Sequence, residues 1–427
     1  MSVQSAAFLA IALMLSLFAV AAYVESHLRM MRHHVRLRRY AYILALGVYC
    51  SSWTFYGAVG SAVASGWNYL PIYLGPVMLL LLAPRFLKLL AQAIAEEQAT
   101  SISDFIASRF GHDIAVARLV TIIALLGIVP YIALQLRSIG AAVSFVSGED
   151  AVLPVMIASA VLLGLFAMLF GTRRYEVAGR NEGLLFAISL ESIIKFSALL
   201  IVALLALAVF FRAPQVDSAH AAARLADNFH PQFLSIETGV IFLISVMAII
   251  VLPRQFYMGF VEVREPDSFV QARFGLAAYV GGMALLVLPI ALGGMAILPD
   301  TTPPDVYVLG VPLNAGSQFI AALALLGGVA AAASMAIVDT TALATMVSND
   351  LVLPSLLRGD FAMRAGAAGK RVLAIRRLLV ISIMALALLW GSMLGENRSL
   401  ASIGLIAFAA MAQFTPHFIL GVFAPGR

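Results

Sequence analysis

Glu191 and Lys195 stand four residues apart in "ESIIKF", within an apolar run over residues 182–211. On a helix that spacing puts the carboxylate and the amine on one face, one turn apart. Charges at membrane depth are costly and usually face the bundle interior. The simplest reading of this pair is mutual neutralisation. The sharper one is that Lys195 takes the place of a bound cation or carries a proton, a role equally open to Asp339, which lies four residues after Met335 in "AAASMAIVDTTALATMVSND". Arg254 and Gln255 directly follow Pro253 in "LPRQFYMGFVE". A guanidinium there could hold a carboxylate through two bonds, although a cation near a membrane face requires no ligand to explain it. Other chemistry is poorly represented. The sequence has no HExxH, nucleotide-binding glycine loop or nucleophile elbow, so no enzyme is expected. The single cysteine, Cys50, excludes an intrachain disulfide and a multi-cysteine metal site. His33–His34 lies in an arginine run better suited to lipid headgroups than to a metal.

The elements that must position these groups are membrane spans. Apolar residues are 62% of the 427 and charged residues 11%, against about 45–50% and about 25% in soluble domains. A helix needs about 20 mostly apolar residues to cross the hydrocarbon, and this chain offers many such runs. The reading is an all-α polytopic membrane protein of eleven spans, at 5–23, 41–64, 67–91, 114–146, 151–171, 182–211, 238–261, 270–298, 315–347, 374–394 and 399–424. Alternate loops hold the basic residues: Arg29–Arg39; Arg85, Lys88 and Arg109; Arg173, Arg174 and Arg180; Arg264 and Arg273; then Arg358, Arg364, Lys370, Arg371, Arg376 and Arg377. The intervening loops carry only Arg212, Arg224 and Arg398. Cytoplasmic loops carry the Lys and Arg, so the N-terminus is expected outside and the C-terminus inside. "MSVQS" has no charge ahead of its apolar run, unlike a secretory leader. The net +5 follows from topology and from anionic lipid, and no nucleic-acid partner is expected.

Two spans are interrupted. "YCSSWTFYGAVGSAVASG" brings Ser51, Ser52 and Thr54 between Gly47, Gly57 and Gly60, and five spans later Pro253 breaks another helix. Breaks at corresponding places in two halves point to a binding site in inverted-repeat transporters. Irregular backbone is tolerated in a membrane only where it is buried in protein or lines a cavity. Glycine and serine that merely let helices approach are the plainer explanation. The division is then a peripheral span and basic loop (1–40), a first five-helix repeat (41–211), an outside loop (212–237) and a second repeat (238–427). "TSISDFIASRFG", Thr100–Gly111, reads as a short interfacial helix with Ser101 as N-cap and Asp104 near its first turn.

With the breaks placed, the chain resembles the sodium/solute symporter family. The resemblance rests on "SSWTFYGAVG", "TSISDFIASRFG", "PYIALQL", "LPRQFYMGF" and "AAASMAIVDTTALATMVSND", and covers nearly the whole chain. "GVYCSSWTFYGAVG", "LPIYLGP", "ESIIKF", "VLPRQF" and "MVSNDLVLP" are similar more closely to the transporter-like membrane module at the front of bacterial sensor histidine kinases. The resemblance implies a LeuT-like 5+5 inverted repeat with one extra N-terminal helix, in a bacterial inner membrane. It also implies that the chain is a truncated member or fragment, with further helices, a sensory region and a fused or associated cytoplasmic kinase lying beyond "GVFAPGR". No cofactor is expected beyond sodium. Its position, carried over from the family, falls on the carbonyls of Gly47, Cys50 and Ala331 and the hydroxyl of Ser334. Three positions depart from the family. Its next hydroxyl is Met335 here, a soft thioether unsuited to sodium. Its acid near the first break is Tyr49, and its acid at the start of the fifth core helix is not evident, the nearest being Glu182.

A solute between the two broken helices would meet Ser51, Ser52 and Trp53 from the first, Tyr131, Gln135 and Arg137 from the third core helix, and Arg254, Gln255 and Tyr257 from the second break. Aromatic walls with a few polar groups are the usual form of such sites. Trp53 and Tyr131 could equally be packing residues. The expected function is a secondary transporter that moves an amino acid or small carboxylate by alternating access, with sodium as the candidate coupling ion. The alternative is the solute-sensing module of a two-component sensor kinase.

Overall fold

The computed structural model describes residues 1–27, 35–172, 181–263, 265–354, 365–393 and 400–423. Arg29, Arg32, His33, His34, Arg173, Arg174, Arg180, Arg264, Arg358, Arg364, Arg398, the Lys370 side chain and "APGR" lie outside the described residues. Within them there is no strand. Among the described residues eight helices are long and apolar enough to cross a membrane, or up to eleven, the expected number, if each of three bent pairs is one span.

In chain order the helices are α1 (Val3–Ser26), α2 (Val35–Ala45), α3 (Ala58–Ser65), α4 (Pro71–Leu82), α5 (Pro84–Glu96), α6 (Ile102–Ser108), α7 (Ile114–Ser147), α8 (Val152–Phe166) and α9 (Glu182–Arg212). They continue with α10 (Gln215–Asn228), α11 (Ile236–Val251), α12 (Pro253–Phe256), α13 (Ser268–Ile297), α14 (Gln318–Val347), α15 (Ala365–Met393), α16 (Leu400–Ala412) and α17 (Thr415–Phe423), with a further short helix, Tyr307–Asn314, between α13 and α14. The α2–α3 stretch is bent by 71° and the α11–α12 stretch by 41°, at the two places where Gly/Ser and Pro interrupt the apolar pattern.

Helix α14 forms the centre, and every residue from Gly327 to Val347 is buried. Its "GGVAAAAS" segment explains this, because small side chains let neighbouring backbones come close. At Gly328 a Cβ would lie 1.7 Å from the Tyr56 hydroxyl, so the first broken helix can rest there only on glycine. Helices α7 and α9 flank α14 on other sides.

Two segments depart from the sequence reading. The expected plain span 67–91 turns by 84° at Ala83. Ala83 leaves the helical region at φ −116° and ψ 43°, and Pro84 starts a new helix where its missing N–H costs nothing. Helix α5 then buries Leu87, Leu90, Ala91 and Ile94 while Arg85 and Lys88 stay exposed, the pattern of a helix lying across the bundle end. The expected loop 212–237 contains α10, docked through buried Ala221 and Leu225. Asn228 Nδ2 donates to the Val63 carbonyl at 2.6 Å. The interfacial helix α6 forms as expected, with Ser101 Oγ accepting from the Asp104 amide at 3.1 Å.

Candidate functional site

A helix break strands peptide groups, and buried ones must find partners. At the first break Leu46–Tyr49 tightens into a 3₁₀ turn, and Cys50 is extended at φ −80° and ψ 102°. The amides are satisfied nearby: Cys50 N donates to Gly47 O at 3.0 Å and Trp53 N to Ser51 Oγ at 3.3 Å. Ser52 N donates to Gln135 Oε1 on α7 at 3.0 Å. The carbonyls draw donors from other helices. Tyr73 Oη donates to Thr54 O at 2.8 Å, and Gln255 Nε2 to Leu46 O at 3.3 Å. Lys195 Nζ, from α9, donates to Gly47 O and to Cys50 O, both at 2.8 Å. Gly47 allows this approach, since a Cβ there would stand 2.9 Å from Ser192 Oγ and from the Tyr279 ring.

The Lys195 ammonium thus sits on two of the carbonyls that the family resemblance assigned to sodium, and a sodium ion does not fit on those two carbonyls while the ammonium holds them. The other two residues of that set, Ala331 and Ser334, are buried on α14, where Ser334 Oγ donates back to Ala330 O at 3.1 Å. Glu191 and Lys195 make no direct salt bridge, although they lie close enough to interact electrostatically. Neither Glu191 carboxylate oxygen has a hydrogen-bond partner among the described residues. The amine is drawn instead to carbonyls left bare by the helix break, which offer it two bonds in fixed geometry.

At the second break Leu252 is extended at φ −70° and ψ 132°. Asp339, from α14, receives the freed backbone. Its Oδ1 accepts from Arg254 N at 3.0 Å and its Oδ2 from Arg254 Nη1 at 2.9 Å, with both side chains fully buried. The Arg254 guanidinium carbon lies 5.0 Å from the centre of the Tyr131 ring, within range of a cation–π contact. Tyr131 Oη shares a 2.8 Å hydrogen bond with Ser51 Oγ. Arg254 Nε and Nη2 and Gln255 Oε1 have no hydrogen-bond partner among the described residues.

Ser51, Ser52, Tyr131, Gln135, Arg254 and Gln255 therefore converge where the two breaks meet α7 and α14. Three sequence candidates lie elsewhere. Trp53 faces Gly404 on α16. Arg137 Nη1 reaches the Gly391 carbonyl of α15 at 3.3 Å. Tyr257 joins a separate knot, accepting from Asn181 Nδ2 at 3.1 Å. Of these nine candidate solute residues all but Arg137, which is half-buried, are 7% exposed or less, so in this conformation a solute can reach them only if helices move.

Sequence reasoning missed two polar knots. In one, Glu262 Oε2 accepts from Asn181 N at 2.7 Å and Oε1 from Asn181 Nδ2 at 2.8 Å, tying the start of α9 to the end of the second broken span. In the other, Asp350 accepts from Ser103 and Thr121, while Arg118 Nε donates to its carbonyl at 3.2 Å. Asn349 Nδ2 and Thr100 Oγ1 are joined at 3.2 Å beside it. Asn181 and Glu262 stand at span ends, where polar residues are ordinary, so only their pairing distinguishes them.

No family model and no curated protein matches the chain. Among solved structures it is similar to a Na+-coupled sialic acid symporter in its substrate-bound, outward-open state, with a TM-score of 0.72 over 97% of this chain and 86% of that one, at 15% identity. At that identity the likeness is one of fold: an all-helical membrane architecture shared along nearly the whole chain.

Proposed function

We propose that the chain is a secondary-transporter-type membrane protein that binds a small carboxylate-bearing solute, such as an amino acid, between its two broken helices. In this reading the fixed ammonium of Lys195 stands where a symporter of this fold would hold a free cation. The carrying observation is the seating of Lys195 Nζ on Gly47 O and Cys50 O at 2.8 Å. A hard cation is bound by oxygen ligands, and these two carbonyls already serve a cation tethered to α9.

The solute side rests on Arg254. One of its terminal nitrogens is held by Asp339, while Nε and Nη2 remain uncommitted, and a guanidinium edge matches a carboxylate. Ser51, Ser52, Tyr131 and Gln135 would supply the orienting groups, and the bundle would open by moving the broken helices against α7 and α14. The fold likeness to a symporter supports this class of function.

The test is uptake of labelled amino acids and small carboxylates into proteoliposomes, with sodium or choline as the external cation. The expected result is uptake of a carboxylate-bearing solute, equal in the two media and lost in Arg254→Gln. Uptake that requires a sodium gradient would overturn the role given to Lys195. Saturable binding of one solute without uptake would move the chain to the sensory class.

A further inference from the structure

We propose that Glu191 is a proton-binding site whose charge decides which of two positions the Lys195 ammonium occupies. The inference rests on the transporter reading above and deepens it by naming the ion that the cycle exchanges.

Glu191 is fully buried, and both its carboxylate oxygens lack a hydrogen-bond partner among the described residues. An ionised carboxylate in that condition costs several kcal/mol, far more than a neutral carboxyl group. One turn along α9 lies Lys195, a cation that could pair with it but is engaged with Gly47 O and Cys50 O instead. The two facts fit together when Glu191 carries a proton: a neutral carboxyl leaves the lysine free to serve the carbonyls.

Among the described residues, the groups facing Glu191 supply no other available cation. From α14 comes the Ser334 hydroxyl, which donates to its own helix, and farther along Asp339, which is held by Arg254. From the first break comes Cys50, the other neighbour of Lys195. From α13 comes Tyr279, whose hydroxyl donates to Ser192 O at 3.0 Å. From α1 comes Glu25, which accepts from the Gly183 amide at 3.0 Å, farther along α9. Arg254, the remaining cation, is paired with Asp339 at 2.9 Å.

Loss of the Glu191 proton to water leaves a carboxylate whose nearest available cation is Lys195, and attraction in a low-dielectric interior is strong. The ammonium then leaves Gly47 O and Cys50 O for Glu191, and the first break loses the donor that pins it. With Lys195 charged in both states, the pair exchanges one proton with solvent. One proton is thereby linked to the freedom of the helix that the proposed cycle must move.

The full chain in lipid nanodiscs tests this with no solute present. Cys50, the sole cysteine, reports the state of the break through its labelling rate with a small maleimide. Dividing the wild-type rate by that of Glu191→Gln at each pH cancels the ionisation of the thiol. While Glu191 is mainly protonated its ionised fraction rises about tenfold per pH unit, so the ratio is expected to rise from about one at low pH, approaching that slope once labelling passes mainly through the ionised state. In Lys195→Met the corresponding ratio stays flat, because no ammonium is left to move. A pH-jump infrared difference spectrum of the wild type should show a protonated-carboxyl band that is absent in Glu191→Gln. A flat wild-type ratio, or a band that survives in Glu191→Gln, overturns the proposal. Both readouts are independent of flux, so failed uptake would leave this result standing, and failure here would leave the solute reading intact.

Discussion

Replacing Lys195 by methionine keeps most of the side-chain volume and removes the ammonium. In the structure that ammonium makes two 2.8 Å bonds to fully buried carbonyls. A buried acceptor left without its donor costs about 1–3 kcal/mol, so two bare carbonyls cost about 2–6 kcal/mol. Relief from burying the ammonium offsets part of this, and a net loss of about 3 kcal/mol is expected. The vacated carbonyls are hard oxygen ligands. A cation that binds them at a hundredfold over its dissociation constant would restore about 2.7 kcal/mol, nearly the whole loss. Thermal unfolding in detergent, followed by size-exclusion at constant ionic strength in sodium chloride or choline chloride, measures both effects. The wild type should melt at the same temperature in the two salts. Lys195→Met should melt lower in choline and recover most of the difference in sodium. Sodium stabilisation of the wild type, or a Lys195→Met protein indifferent to sodium, would refute the assignment of Lys195 as a tethered cation.

Asp339→Asn leaves the buried Arg254 guanidinium without its carboxylate and should cost about 3–5 kcal/mol, whereas Arg254→Met with Asp339→Leu should recover part of that loss in the same melting assay. Gly328→Ala drives a methyl group to 1.7 Å from the Tyr56 hydroxyl, so the yield of monodisperse protein should collapse, and Tyr56→Ala in the same chain should partly restore it. On the exposed surface, Arg224 donates to Asp300 at 2.8 Å and holds its carboxyl below the usual range. The contribution of this pair is present above the ordinary carboxylate pKa of about 3.9 and is lost as pH falls through the depressed value. Amide protection over 215–228, taken relative to the intrinsic exchange rate at each pH, should therefore fall on acidification, and Arg224→Ala should abolish that response.

The membrane fold was legible because its signals are long and redundant. Apolar runs of span length, basic residues in alternate loops and two interruptions five spans apart all point the same way, and, with each bent pair taken as one span, each of the eleven has a counterpart. The bend at Ala83 was harder to see, since "LLLLAPRFLKLL" reads as one apolar run unless Pro84 is weighed as a start signal. Within the site, residue types on the broken helices showed which groups would gather, but not which would pair. Glu191 and Lys195 are neighbours by helical spacing, and that local relation is what a sequence displays. The bonds actually made by Lys195 cross 145 and 148 positions, and that of Arg254 to Asp339 crosses 85. They are set by where α14 and the breaks meet. Asn181 with Glu262 was invisible for the same reason.

A tethered cation changes what the cycle can be driven by. A free ion that binds at the break enters from one side and leaves on the other, so its gradient does work on the solute. An ammonium fixed to α9 completes no such passage, however firmly it closes the break. If the chain moves its solute against a gradient, the work must come from something else that crosses, and the group poised to exchange with solvent is the carboxyl one turn from the tether. If nothing crosses with the solute, occupancy of the site still changes the helix packing, and the same architecture then reports a solute's presence without concentrating it. Transport and sensing thus diverge at Glu191. In Glu191→Gln a proton-driven transporter loses accumulation while equilibrium exchange of solute persists, and a pure sensor keeps its solute affinity at every pH.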